Sequence, residues 1–213
     1  MLHPGEPAIT EMTSPTGVFD GSIVGMETYP PAPWWSAGAM WIAPLSVGGR
    51  RIVLAVVRYR EGTLSYNEVF FGGVVRRGLR VGLSVRGIWV DSVASLWGGR
   101  EIWGLPKQLA TFTWRNRGLT MTAEDGRLDV RFSGSPRWSA RVPFIAPAFG
   151  SAGQFFHGIG HGRLRLARIE VVADLPSLRV HTDAPTLWLN DFRLVVRAPR
   201  SFVESEPEVF PSE

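Results

Sequence analysis

Of the 23 basic residues in this chain of 213, 22 are arginine and one, Lys107, is lysine. Arginine stays charged at any ordinary pH and cannot act as an amine nucleophile, whereas a buried lysine can lose its proton and attack a carbonyl carbon. Position 107 therefore reads as a place that needs an amine and not merely a cation, against the plainer reading of an Arg-biased composition that left one lysine by chance. The product of such an attack is an iminium, which withdraws electrons from a neighbouring carbon–carbon bond. A lysine with the ordinary pKa of about 10.4 is neutral less than about once in a thousand at pH 7, so this chemistry calls for desolvation or a second positive charge nearby. A carboxylate able to move protons has a candidate in Glu68, which alternation places on one strand face between Tyr66 and Phe70.

The elements that must hold these groups are mostly strands. Gly38 to Leu45 and Arg51 to Arg60 read as the first two, and in the second Ile52, Leu54 and Val56 face away from Val53, Ala55 and Val57. Both of its faces are apolar, which marks it as a central strand. Tyr66 to Phe71 follows, and Val74 to Val90 alternates loosely around Gly78, Gly82 and Gly87, as bent or bulged strands do. One short helix is expected next, capped by Asp91 or Ser92, with Val93, Ala94, Leu96 and Trp97 on its apolar face and Gly98 and Gly99 weakening it. Short antiparallel strands are then expected at Leu109–Trp114, Leu119–Ala123, Arg127–Phe132, Trp138–Phe144, Leu164–Val172, Leu178–Thr182 and Phe192–Arg197, with Asp125-Gly126 as the strongest hairpin signal. Eight to eleven strands and a single helix predict a mainly β, single-domain antiparallel barrel or cone over residues 34–200. An irregular Pro-rich arm is expected over 1–33 and a mobile acidic tail over 201–213.

The segment Gly99-Arg100-Glu101-Ile102-Trp103-Gly104-Leu105-Pro106-Lys107 resembles the signature of the acetoacetate decarboxylase family, in which Gly-Arg-Glu, four variable residues and Pro-Lys end at a Schiff-base lysine. Tyr66-Asn67-Glu68 is similar to the short strand that carries the family's active-site glutamate, and Ile88-Trp89-Val90-Asp91 to the strand before its helix. The resemblance runs from about Leu54 to Leu109. It implies a β-barrel or cone fold and a carbon–carbon lyase, a carboxy-lyase that needs no cofactor and no metal and acts on a small β-keto acid or oxo acid. Lys107 would then be the nucleophile and Glu68 the acid–base or positioning group. Phe70, Trp97, Trp103, Leu105 and Gln108 would line the substrate pocket, and Arg100 and Glu101 would hold the loop around it.

Several positions depart from the family pattern. Its common second lysine is Gln108 here, which leaves burial to favour the neutral amine; acetoacetate decarboxylase is itself a known example of activation by a neighbouring cation. Its decarboxylases carry an early arginine, but none occurs here before Arg50, and a second family glutamate falls on Val53. Decarboxylation is the leading expectation. A Schiff-base aldolase or dehydratase on an oxo acid, and a non-catalytic β-barrel that binds small molecules, are the alternatives.

Charge and composition bound the remaining possibilities. Residues 1–49 and 201–213 carry four acids each and no Lys or Arg, so residues 50–200 hold 23 basic against 19 − 8 = 11 acidic residues. The arginines are scattered singly through strand-like segments, which predicts a solvated β surface and no nucleic-acid partner. Ala37–Val47 is too short, and broken by Pro44, to span a bilayer, and Met1–Asp20 lacks the charge and apolar run of a secretory signal, so a cytoplasmic location without a membrane partner is expected. Homo-oligomers are implied by the resemblance. There is no Cys, hence no disulfide or thiolate chemistry. His157 and His161 lie in a glycine-rich stretch that reads as a flexible loop and not as a metal-binding helix. Neither the Gly-x-Gly-x-x-Gly fingerprint nor a nucleophile elbow is present, and the nine tryptophans are spread as core residues are.

Overall fold

In the computed structural model, which describes residues 28–134, 139–151 and 153–201, nearly every apolar alternation in the sequence becomes a strand. In chain order these are β1 (Trp34–Val47), β2 (Arg50–Gly62), β3 (Tyr66–Arg77), β4 (Arg80–Val90), α1 (Val93–Trp103), β5 (Lys107–Arg115), β6 (Gly118–Ala123), β7 (Gly126–Ser133), β8 (Ala140–Phe149), β9 (Gln154–Leu175), β10 (Leu178–Val196) and β11 (Arg200–Ser201). They form one 11-stranded sheet in the order β10-β1-β2-β3-β4-β5-β6-β7-β9-β11, and the pairing of β10 with β9 closes it on itself. The architecture is the mainly β cone expected from the sequence. Most of the expected arm (residues 1–27) and of the acidic tail (residues 202–213) lies outside the described residues, as does Trp138.

A second branch departs from that circuit, because β8 pairs in parallel with β4 and antiparallel with β9. The 22-residue β9 serves both branches: Phe155 to Leu164 faces β8, and Arg168 to Asp174 faces β7. Strands β1 to β4 therefore have a packed core on each side. Ile52, Leu54 and Val56 of β2 belong to the larger core with Val69, Phe71 and Trp89, whereas Ala55 and Val57 point to the smaller one with Met40, Leu189 and Phe192. A strand with both faces apolar is stable only in such a position.

Two expectations are corrected. The stretch around His157 and His161 is not a loop but the first half of β9. Its glycines bring the backbone against neighbours that a side chain would strike, as a Cβ at Gly158 would lie 2.7 Å from Leu194 Cδ1. Likewise, Leu178–Thr182 and Phe192–Arg197 are not separate strands: the 19-residue β10 runs from Leu178 to Val196, pairing with β9 over almost all its length. No helix is long and apolar enough to cross a membrane among the described residues.

Candidate active site

Strand register alone brings Lys107 and Glu68 to one face. Glu68 of β3 lies opposite Val90 of β4, and two residues back along β4 Ile88 lies opposite Lys107, the first residue of β5. Positions two apart share a face, so Glu68, Val90, Ile88 and Lys107 all point to the same side. Phe70, opposite Ile88, points there too. Because β4 and β5 run parallel, they need a crossover connection, and α1 supplies it.

Helix α1 is built to press on the lysine. Ser92 caps it, its Oγ accepting a hydrogen bond from the Ser95 N–H at 3.2 Å. It does not falter at Gly98 and Gly99 but continues to Trp103, and Gly104 ends it in the left-handed conformation, φ 64°. The expected apolar face is also corrected, since the buried positions are Ser95, Leu96, Gly98, Gly99 and Trp103, while Val93 and Trp97 are exposed. The glycines were read as weak points because their intrinsic helix propensity is poor. Here they give the lysine stem room, for a Cβ on Gly99 would stand 2.4 Å from Lys107 Cδ.

The amine ends in a buried polar cluster. Lys107 Nζ donates to Glu68 Oε2 at 2.7 Å and to Ser95 Oγ at 2.9 Å, and it lies 5.2 Å from the centre of the Tyr66 ring. Lys107 and Glu68 are 3% and 5% exposed, so the ion pair is sheltered from bulk water. Tyr59 donates its O–H to the other carboxylate oxygen, Oε1, at 3.2 Å. Burial pushes the Tyr59 and Tyr66 hydroxyls well above the usual tyrosine range, and the nearby Glu68 carboxylate adds to the shift in both. Both tyrosines are therefore protonated donors at neutral pH. Below the amine, Arg100 donates from Nε and Nη2 to the Lys107 carbonyl at 2.9 and 2.6 Å.

This cluster opens into a cavity of about 500 Å³ between the β3–β4 face, β8 and β10. Of the residues expected around the substrate, Phe70, Trp103 and Leu105 line it together with Lys107 and Glu68. Trp97 and Gln108 do not. Trp97 sits on the outer side of α1, 38% exposed, with the Arg100 guanidinium 5.6 Å from its ring centre. Gln108 follows Lys107 on a strand and so points to the opposite face, where it is exposed. Arg100 and Glu101 lie in the helix and not in a loop; Arg100 holds the Lys107 backbone, and Glu101 is exposed outside the cavity. No cluster of His, Asp and Glu able to hold a metal forms among the described residues.

Tyr59 and Ser95 are the members of the cluster that sequence reasoning missed. Tyr59 lies directly opposite Tyr66 across the β2–β3 hairpin, which a register counted from the intervening turn would have revealed. Ser95 lies one helical turn before Gly99, so both meet the lysine from the same side of α1.

Residues 43–142 match the model of the family described as acetoacetate decarboxylase (ADC), which identifies the chain as acetoacetate decarboxylase-like. Solved structures share the fold at low identity. The acetoacetate decarboxylase (ADC) from Legionella pneumophila subsp. pneumophila str. Philadelphia 1 is 14% identical with a TM-score of 0.55, over 87% of this chain and 93% of that one. A structure from studies of acetoacetate decarboxylase is 9% identical with a TM-score of 0.51, covering 84% and 93% of the two chains. The enduracididine biosynthesis enzyme MppR complexed with pyruvate is 11% identical with a TM-score of 0.50, covering 83% and 92%. Among curated proteins nothing matches the chain.

Proposed function

We propose that this protein is a Schiff-base carbon–carbon lyase that decarboxylates a β-keto acid through Lys107. The observation that carries the reading is the sole lysine of the chain, buried 2.7 Å from Glu68 at the wall of a 500 Å³ cavity. Passing one proton from Nζ to Glu68 Oε2 leaves a neutral amine beside a carboxylic acid, and the low-dielectric surroundings reduce the cost of losing both charges together.

The amine adds to the ketone carbon, and Glu68 returns its proton to the departing hydroxyl so that water leaves and an iminium forms. The bond to the carboxylate then breaks, carbon dioxide departs, and its electron pair moves through the α-carbon to the iminium nitrogen. Protonation of the resulting enamine at carbon and addition of water across the iminium release the ketone and restore the amine. Tyr59 keeps Glu68 aligned by bonding its far oxygen, and Ser95 fixes Nζ from the helix side.

A second reading follows from the shortage of cations: among the described residues, Lys107 is the only basic residue lining the cavity. With nothing else to fix a substrate carboxylate, the same iminium could instead serve aldol addition or dehydration of an oxo acid, and a protein of this fold is described in complex with pyruvate, itself an oxo acid. Borohydride reduction in the presence of a β-keto acid tests the shared step. The expected result is a reduced adduct on Lys107 by mass spectrometry, absent in Lys107→Arg. Carbon dioxide release then separates the lyase from the alternative. A folded protein that gives no adduct would point to a non-catalytic binding protein.

A further inference from the structure

We infer that the carbonyl compound held at Lys107 carries a long apolar group, so that its class is a medium-chain or otherwise bulky hydrophobic β-keto acid and not acetoacetate itself. The inference rests on the Schiff-base reading for the position of the carbonyl, and on the cavity wall for everything else.

Polar groups are confined to one end of the cavity. Among the described residues that line it, Lys107, Glu68, Tyr59 and Tyr66 form the cluster already described, and Ser36 is the remaining hydroxyl. Two tryptophans also line it, but their indole N–H groups are committed to backbone carbonyls, Trp34 to Pro30 at 2.8 Å and Trp103 to Arg197 at 2.9 Å. They offer the ligand only rings. The rest is hydrocarbon, with Ile42, Val53, Phe70, Val142, Phe144 and Leu189 supplied by five different strands. Of the 22 arginines in the chain, none lines this wall.

Size points the same way. At the liquid-water share of about 30 Å³ per molecule, a 500 Å³ space takes roughly 15 non-hydrogen atoms. Acetoacetate, with about seven such atoms, would leave half of it to water that the wall cannot hydrogen-bond. Val53 shows how far the apolar part reaches. It lies four residues along β2 from Val57, the partner of Glu68, or about 13 Å away at the usual strand rise. At the open side the apolar lining continues into solvent, with Val74 65% and Ile145 67% exposed, so a hydrophobic chain meets hydrocarbon along its whole path in.

The carboxylate to be lost stays at the polar end beside Lys107, and the ketone's other substituent extends toward Val53. That placement requires no second cation. The bond changes are those given for the lyase, with the apolar group unchanged as the ketone leaves.

The test compares two stable methyl ketones, acetone and methyl heptyl ketone, as substrates for borohydride trapping on the full chain. Each buried methylene is worth about fourfold in affinity, so six of them are expected to favour the heptyl compound by at least about 100-fold in the rate of adduct formation at low concentration. In Val53→Glu the ratio of the two rates is expected to fall towards one, and Val53→Phe, which shortens the cavity without adding charge, checks the same point if the glutamate variant fails to fold. Acetone trapped as fast as the longer ketone would overturn the apolar-group inference and leave the Schiff-base reading standing. If neither ketone is trapped by folded protein, the Schiff-base reading fails, and calorimetric binding of methyl heptyl ketone decides the inference: binding weakened at least tenfold by the Val53 change supports it, and no binding overturns it.

Discussion

Gly99 and Lys107 touch across the junction of α1 and β5, with no room between the glycine Cα and the lysine stem for even a methyl group. Gly99→Ala would add a helix-favouring residue worth up to about 1 kcal/mol. Overpacking is expected to win, costing about 1–3 kcal/mol and displacing Nζ from Glu68. Thermal unfolding and borohydride trapping measure the two effects. A variant more stable than the wild type, with undiminished adduct formation, would contradict the packing described.

The ion pair makes a second prediction. Lys107→Met leaves the Glu68 carboxylate buried without its cation, which is expected to cost about 3–5 kcal/mol in urea unfolding at neutral pH. Adding Glu68→Gln to that variant is expected to recover more than half of the loss. If the two changes simply add, the pair is not coupled as its 2.7 Å separation implies.

Alkaline stability reports the tyrosines. Both hydroxyls hold their protons more tightly in the folded chain than in the unfolded one, where tyrosine ionises near about pH 10. A raised folded value adds stability that is complete below the unfolded value and is lost as the pH climbs from there towards the folded value. The urea midpoint is therefore expected to drop between pH 9 and pH 11, and Tyr59→Phe to flatten that drop. The same variant is expected to lower the trapping rate about tenfold by releasing one oxygen of Glu68. An unchanged pH profile in Tyr59→Phe would remove Tyr59 from the cluster's electrostatics.

Arg100 positions the nucleophile through its backbone. Its two parallel N–H bonds to the Lys107 carbonyl depend on the guanidinium fork, which an ammonium cannot reproduce. Arg100→Lys is expected to reduce kcat about tenfold with little change in KM, because the lysine stem is released while the cavity wall is kept. A KM effect alone would place Arg100 among the groups that hold substrate.

How much of this was legible in the sequence depended on the range of the signal. Strand β2 could be read as central from its own residues, because burial on both faces leaves an apolar run that nothing else explains. The neighbourhood of Lys107 and Glu68 came from spacing within a resembled motif, and the fold joins them through a register that motif does not state. Trp97 and Gln108 were misplaced since each adjoins a site residue in the chain but faces the other way in its helix or strand. The long strands β9 and β10 were broken into pieces because Gly158, Gly160 and Gly162 in one, and Pro185 and the irregular stretch near Asp191 in the other, imitate loop signals. Only tertiary neighbours, above all Leu194 and Phe192, show why the β9 glycines belong in a strand.

The forked sheet divides labour along the chain. The amine and its carboxylate stand on β3 and β5, either side of β4, while β8 contributes Val142 and Phe144 to the far wall from a separate branch. Substitutions in residues 140–149 can thus reshape what is admitted without disturbing the strands that fix the reacting nitrogen. One inherited chemistry can in this way be carried to new molecules by altering a single ten-residue ribbon.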